Sequence, residues 1–247
     1  MGQTGLWGPS PVQEEGAGPY NVALPPQGSI TVGGADLYRI NCRECHGERG
    51  EGAPPEINSI LAPVQATSPD LILARMKKSG APISTTVARQ LASQSKASLL
   101  HRIHNGGTNM PPFPQLTSSE VDALVAYLDL LVGIPGSENK QMTVAIPVAH
   151  LGEDLVKSTC HICHAATGSN PAPSAMLQGA IPPLAVLPSR LDLEQFVQKV
   201  TVGRPIVMGD LDMRYRGRMP VFYYLKPDEV AAAYLYLEKY PPGGETH

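Results

Sequence analysis

A chain of 247 residues has room for one large or two ordinary domains, and its 42% hydrophobic content is enough for a globular core. Aromatic residues make up only 5%, thin for cores of that size, so something besides side chains is expected to fill them. The net charge of −3 argues against a nucleic-acid binder, and no run is long and apolar enough for a transmembrane helix.

Residues 1–32 read as an extended arm rich in Pro and Gly. No signal peptide is visible there, and Leu6 stands where a myristoylation motif needs Ser or Thr, so a removed export signal or a missing upstream anchor is expected. A helix is predicted from near Ala35 into Cys42. Residues 33–133 form the first predicted domain, which ends in a helix capped by Thr117 or Ser118 with Glu120 in its first turn. Residues 134–150 read as a linker. The second predicted domain, 151–247, opens with a helix from about Gly152 to Thr159 and carries a loop insertion from Ala165 to Gly179. Its last helix starts at Pro227, with Asp228 and Glu229 at the positive dipole end. No strand-like alternation competes with these helical stripes, so the fold class is predicted to be all-α with long loops.

The chain has four cysteines, and they fall in two identical motifs: Cys42-Arg-Glu-Cys45-His46 and Cys160-His-Ile-Cys163-His164. C-x-x-C-H is the haem attachment signature. Two thiols a helical turn apart can reach the two vinyl groups on one porphyrin edge, and the next residue sets an imidazole beneath the iron. Two covalent haem c groups are therefore expected, with His46 and His164 as axial ligands.

A second repeat supplies the opposite ligand. Asn109 to Leu131 aligns without a gap on Arg218 to Tyr240, at an offset of 219 − 110 = 109. Met110 falls on Met219 and Phe113 on Phe222, both within Met-Pro-x-Phe. The proline stiffens a loop that presents sulfur to the iron. The cysteine motifs have a different offset, 160 − 42 = 118, so the segments between differ in length. Met208 and Met213 are rivals to Met219 but lack the Pro-x-Phe context.

On these residues the sequence resembles the class I c-type cytochromes, and among them the members with two haem domains in tandem. The resemblance spans roughly residues 33–133 and 151–240. It takes in C-x-x-C-H, a Pro-Pro element (Pro54-Pro55 and Pro182-Pro183), Met-Pro-x-Phe and a terminal helix with a Tyr-Leu pair. The resemblance implies His/Met-ligated iron and electron transfer without substrate chemistry. It further implies a helix crossing that involves Tyr127 and Tyr236, and a proline carbonyl accepting from each axial histidine. Implied partners are redox proteins, free or within a membrane-bound respiratory or photosynthetic complex. The implied location is periplasmic or otherwise extracytoplasmic, with any membrane association through a partner or anchor. No small-molecule substrate is expected. The alternative is a dihaem enzyme, a peroxidase or a thiosulfate-oxidising cytochrome, which needs an open iron position or an unusual ligand.

Other features have plainer readings. Zinc on the four cysteines would leave the repeated methionine loop without a purpose. His101 and His104 are read as surface or packing residues, His161 as facing outward, and His150 and His247 as loop and tail residues without a role. Arg214, Arg216 and Arg218 form a basic cluster that reads as a solvated loop, as partners for haem propionates, or as a docking patch for an acidic partner.

Overall fold

The computed structural model describes residues 28–203, 206–208, 211–215 and 219–240. Strand β1 (Ser29–Gly33) runs straight into helix α1 (Gly34–Asn41), and Cys42 alone separates α1 from the short α2 (Arg43–His46). Gly47 ends α2 at φ 74°, a left-handed conformation that a side chain would strain. Helices α3 (Leu61–Gln65), α4 (Pro69–Lys78) and α5 (Thr85–Asn105) follow. Ser68 caps α4 by accepting from the Leu71 N–H, and Ser84 caps α5 by accepting from the Val87 N–H. The α4–α5 hairpin buries its own small cluster of Ile72, Ala88 and Ala92, while Ile103 near the end of α5 joins the main core. Helix α6 (Ser118–Leu131) is capped by Thr117, whose backbone N–H in turn donates to Glu120 at 2.8 Å.

The stretch 134–150 carries structure of its own. A 3₁₀ turn (Ser137–Lys140) precedes strand β2 (Thr143–Pro147), which pairs antiparallel with β1 in the register Ser29↔Pro147 to Gly33↔Thr143. Helix α7 (Val148–Ser158) therefore begins inside the expected linker. Beyond it come α8 (Pro173–Leu177), α9 (Leu193–Thr201), strands β3 (Ile206–Met208) and β4 (Leu211–Tyr215), and α10 (Pro227–Lys239). The all-α expectation needs correction on this point: the fold is helix-rich but contains two short antiparallel pairs, β1–β2 and β3–β4. Five-residue strands with only Val32 and Ile146 buried leave too short an alternation to stand out beside helical stripes. The expected arm lies outside the described residues up to position 27.

Two helix crossings build the core, and they are made the same way. Helix α1 crosses α6, and α7 crosses α10. A Cβ on Gly34 would sit 2.1 Å from the Ala123 carbonyl oxygen and 2.7 Å from the Tyr127 Cβ. A Cβ on Gly152 would sit 2.2 Å from the Ala232 carbonyl oxygen and 2.8 Å from the Tyr236 Cβ. Only glycine lets backbone meet backbone at these points. Around them Leu37, Leu124, Leu155 and Leu237 are fully buried, each contributing about 2 kcal/mol by leaving water.

The two halves meet along α1 and α7. The Thr159 hydroxyl donates to the Ile40 carbonyl at 2.9 Å, and the Ser158 hydroxyl donates to the Asn41 side-chain oxygen. At one flank Arg39 of α1 pairs with both oxygens of Glu229 on α10, at 2.5 and 2.6 Å. At the other His150 of α7 donates to Glu120 on α6 at 3.0 Å.

Candidate functional site

A cavity of about 310 Å³ opens in the second half. Cys160, Cys163, His164 and Met219 all line it. They reach it from separate places: the cysteines follow the end of α7, and Met219 comes from the segment before α10. Leu155, Leu184, Phe196 and Phe222 supply much of the rest of the wall, and all four are buried. A ring-sized apolar hollow with two thiols, an imidazole and a thioether fits a covalently attached haem, and it answers the shortage of aromatic side chains.

The imidazole is oriented for ligation. His164 Nδ1 lies 2.7 Å from the Pro182 carbonyl oxygen. A carbonyl only accepts, so Nδ1 carries the proton and Nε2 keeps its lone pair for a metal. Burial pushes the His164 pKa down, which favours that neutral form. In the first half His46 Nδ1 donates to the Asn58 carbonyl at 3.2 Å, and burial again lowers the pKa. The implied role of Pro54-Pro55 is therefore corrected, since the acceptor is Asn58. Any residue's backbone carbonyl serves this purpose, so the side-chain pattern could not single it out.

Cys42 and Met110 both pack against the main core, partly buried. The backbone that carries each methionine is tied down alike. The Phe113 N–H donates to the Ile103 carbonyl at 3.0 Å, and the Phe222 N–H donates to the Val200 carbonyl at 2.8 Å. Before each methionine the helix stops at a left-handed glycine, Gly106 at φ 73° and Gly203 at φ 76°. Met110 and Met219 thus hang from equivalent frames. Met208 and Arg214 lie on strands described by backbone alone, and Met213 is the same; Arg216 and Arg218 lie outside the described residues.

Burial drives the Cys42 and Cys160 thiols up to about 12. Among the described residues only Glu120, His150 and Asp154 converge as a group able to hold an ion. His101, His104 and His161 are exposed, as expected.

Several residues of interest escaped sequence reasoning. Lys199 lines the cavity, is 7% exposed, and has no hydrogen bond or ion pair among the described residues; burial lowers its pKa. Tyr224 stacks under Arg43 at 4.5 Å and donates its hydroxyl to Glu44 at 2.8 Å. Arg43 and Glu44 are the two residues inside the first C-x-x-C, so the loop after Met219 rests on the first motif. Gly34 and Gly152 each precede the first cysteine of their motif by eight residues (42 − 34 and 160 − 152), a repeat that was there to be read.

Residues 31–128 match the family model described as cytochrome C oxidase, cbb3-type, subunit III. This supports a c-type cytochrome, and with it haem-based electron transfer. The match ends before the second motif. No curated protein and no solved structure matches the chain. Among the described residues no helix is long and apolar enough to cross a membrane.

Proposed function

We propose that the chain is a two-haem electron carrier, with one cytochrome c domain over residues 33–133 and another over 151–247. Each haem c is held by its cysteine pair, Cys42 and Cys45 or Cys160 and Cys163. The axial pairs are His46 with Met110 and His164 with Met219. The observation that carries this reading is the convergence of Cys160, Cys163, His164 and Met219 on one apolar cavity. The first half shares the glycine crossing, the histidine-to-carbonyl bond and the methionine frame.

When bound, haem supplies a one-electron iron couple. The chain's own residues do the rest. Pro182 and Asn58 carbonyls fix the imidazole tautomer and ring orientation, leaving Nε2 as donor. A methionine opposite histidine raises the reduction potential. Leu155, Phe196 and Phe222 exclude water, which lowers the reorganisation that each electron transfer demands. Lys199, buried on the cavity wall, would offer its ammonium to a propionate carboxylate. The bond from Thr159 to Ile40 brings the two attachment segments into contact, an arrangement suited to passing an electron between halves.

The partners are redox proteins, and the description of the matching family favours a membrane-bound oxidase complex among them. The location is extracytoplasmic. A sulfur-to-iron near-infrared band in the oxidised protein tests the ligation. Met219→Ala should remove about half of it and Met208→Ala none. Loss through Met208→Ala reassigns the second ligand, and rapid carbon monoxide binding to the reduced native protein supports the enzyme reading instead.

A further inference from the structure

His150, read from the sequence as a loop residue without a role, sits in the first turns of α7 and faces two buried carboxylates. Its Nε2 lies 3.0 Å from Glu120 Oε2 and 4.0 Å from Asp154 Oδ2. Both acids are 0% exposed. Glu120 Oε2 is well served, accepting from the Thr117 N–H, the Thr117 hydroxyl and His150. Its Oε1 has no partner, and neither Asp154 oxygen has one. Buried carboxylate oxygens without partners are costly and call for a compensating group.

The internal repeat shows what that group replaces. At the offsets of 118 and 109, Asp154 corresponds to Asp36 and Glu120 to Glu229. The Asp36–Glu229 pair is fully neutralised. Arg39 binds both acids, Lys226 binds Asp36 at 3.1 Å, and the Gly33 N–H donates to Asp36 at 3.1 Å. In the Asp154–Glu120 pair each of these supports is gone. The counterpart of Arg39 is Lys157, which turns away to Glu153 at 2.5 Å. The counterpart of Lys226 is Thr117. The counterpart of Gly33 is Leu151, which lies inside α7 because that helix starts at Val148. Two cations and an N–H have been exchanged for one imidazole.

We propose that Glu120, His150 and Asp154 bind one divalent transition-metal cation of the zinc type, which bridges α6 of the first half to α7 of the second. The three donor atoms lie within 4.8 Å of one another. Tetrahedral zinc with bonds near 2 Å places its ligand atoms about 3.3 Å apart, within the span of the separations found. One imidazole with two carboxylates suits zinc better than the all-oxygen shells of calcium or magnesium. On the far side of the ring Nδ1 lies 3.4 Å from Glu153 Oε2, the carboxylate that would orient a metal-bound histidine. The His150 side chain is 18% exposed, which gives an ion a route in.

The site is independent of the haem reading. The test is calorimetric titration of zinc ion into the EDTA-treated, dialysed full chain, with thermal unfolding beside it. One zinc per chain should bind, and the unfolding midpoint should rise with free zinc. Asp154→Asn and His150→Gln should abolish that site, and Glu153→Gln should weaken it about tenfold. All variants keep the same four cysteines, so binding lost in them belongs to the cluster. His150→Gln changes a partly exposed side chain and keeps the result readable if Asp154→Asn misfolds. Three results overturn the proposal: no zinc bound, zinc bound equally by the variants, or a midpoint that Asp154→Asn raises while zinc leaves the parent chain unchanged. The last would mean that the two carboxylates are satisfied by a shared proton.

Discussion

Thr159, which immediately precedes Cys160, donates its hydroxyl at 2.9 Å to the carbonyl of Ile40, two residues before Cys42. The two attachment segments are thereby joined through a buried bond rather than across solvent. Thr159→Val keeps the shape and removes the donor. Unfolding by denaturant should show a loss of about 1 kcal/mol, and one-electron exchange between the halves should slow. An unchanged midpoint would mean that the bond contributes nothing to holding the halves together.

The glycine crossings make a sharper structural prediction. A methyl group at Gly34 or Gly152 meets a backbone carbonyl at 2.1 or 2.2 Å, where no side-chain rotation can relieve it. Gly34→Ala and Gly152→Ala should each cost about 3 kcal/mol or more, at the upper end for overpacked cores. Each should impair its own half first, which haem retention per motif would report.

Lys199 should matter to potential more than to stability. Its ammonium is desolvated on the cavity wall, and a cation there favours the reduced centre. Lys199→Met should lower the midpoint potential of the second haem by something on the order of tens of mV, a tenfold shift in a one-electron equilibrium being about 59 mV. The first haem should be unaffected. Spectroelectrochemical titration resolves the two.

Acid sensitivity should originate in part at Asp36. Burial pushes its carboxyl up, but the Gly33 N–H, Lys226 and Arg39 together outweigh burial and hold it below its ordinary 3.8. A carboxyl with a depressed pKa gives stability that is present above the unfolded value and is lost as pH falls through the folded one. The parent chain should therefore lose stability below about pH 4 more steeply than Asp36→Asn, measured by thermal unfolding across pH.

The side chains that line the cavity were legible in the sequence, because a C-x-x-C-H motif has fixed spacing. Cys160, Cys163 and His164 stand in one such motif, and the Met-Pro-x-Phe repeat pointed to Met219. The Thr117 cap was readable from local propensity. What stayed hidden depends on backbone or on distant contacts. The Asn58 carbonyl leaves no side-chain signal. His150 gains its meaning only from Glu120, thirty positions earlier on another helix. Strand β1 pairs with β2 across more than a hundred residues, and neither is long enough to show a pattern alone.

The central claim is that both halves carry a covalent haem. A pyridine haemochrome assay on the denatured, acid-acetone-extracted chain counts attached haem directly. Two haems per chain are expected, falling to one in a Cys160→Ala, Cys163→Ala double variant and to one when Cys42 and Cys45 are replaced instead. A value of one in the parent chain, or none retained after extraction, would contradict the account.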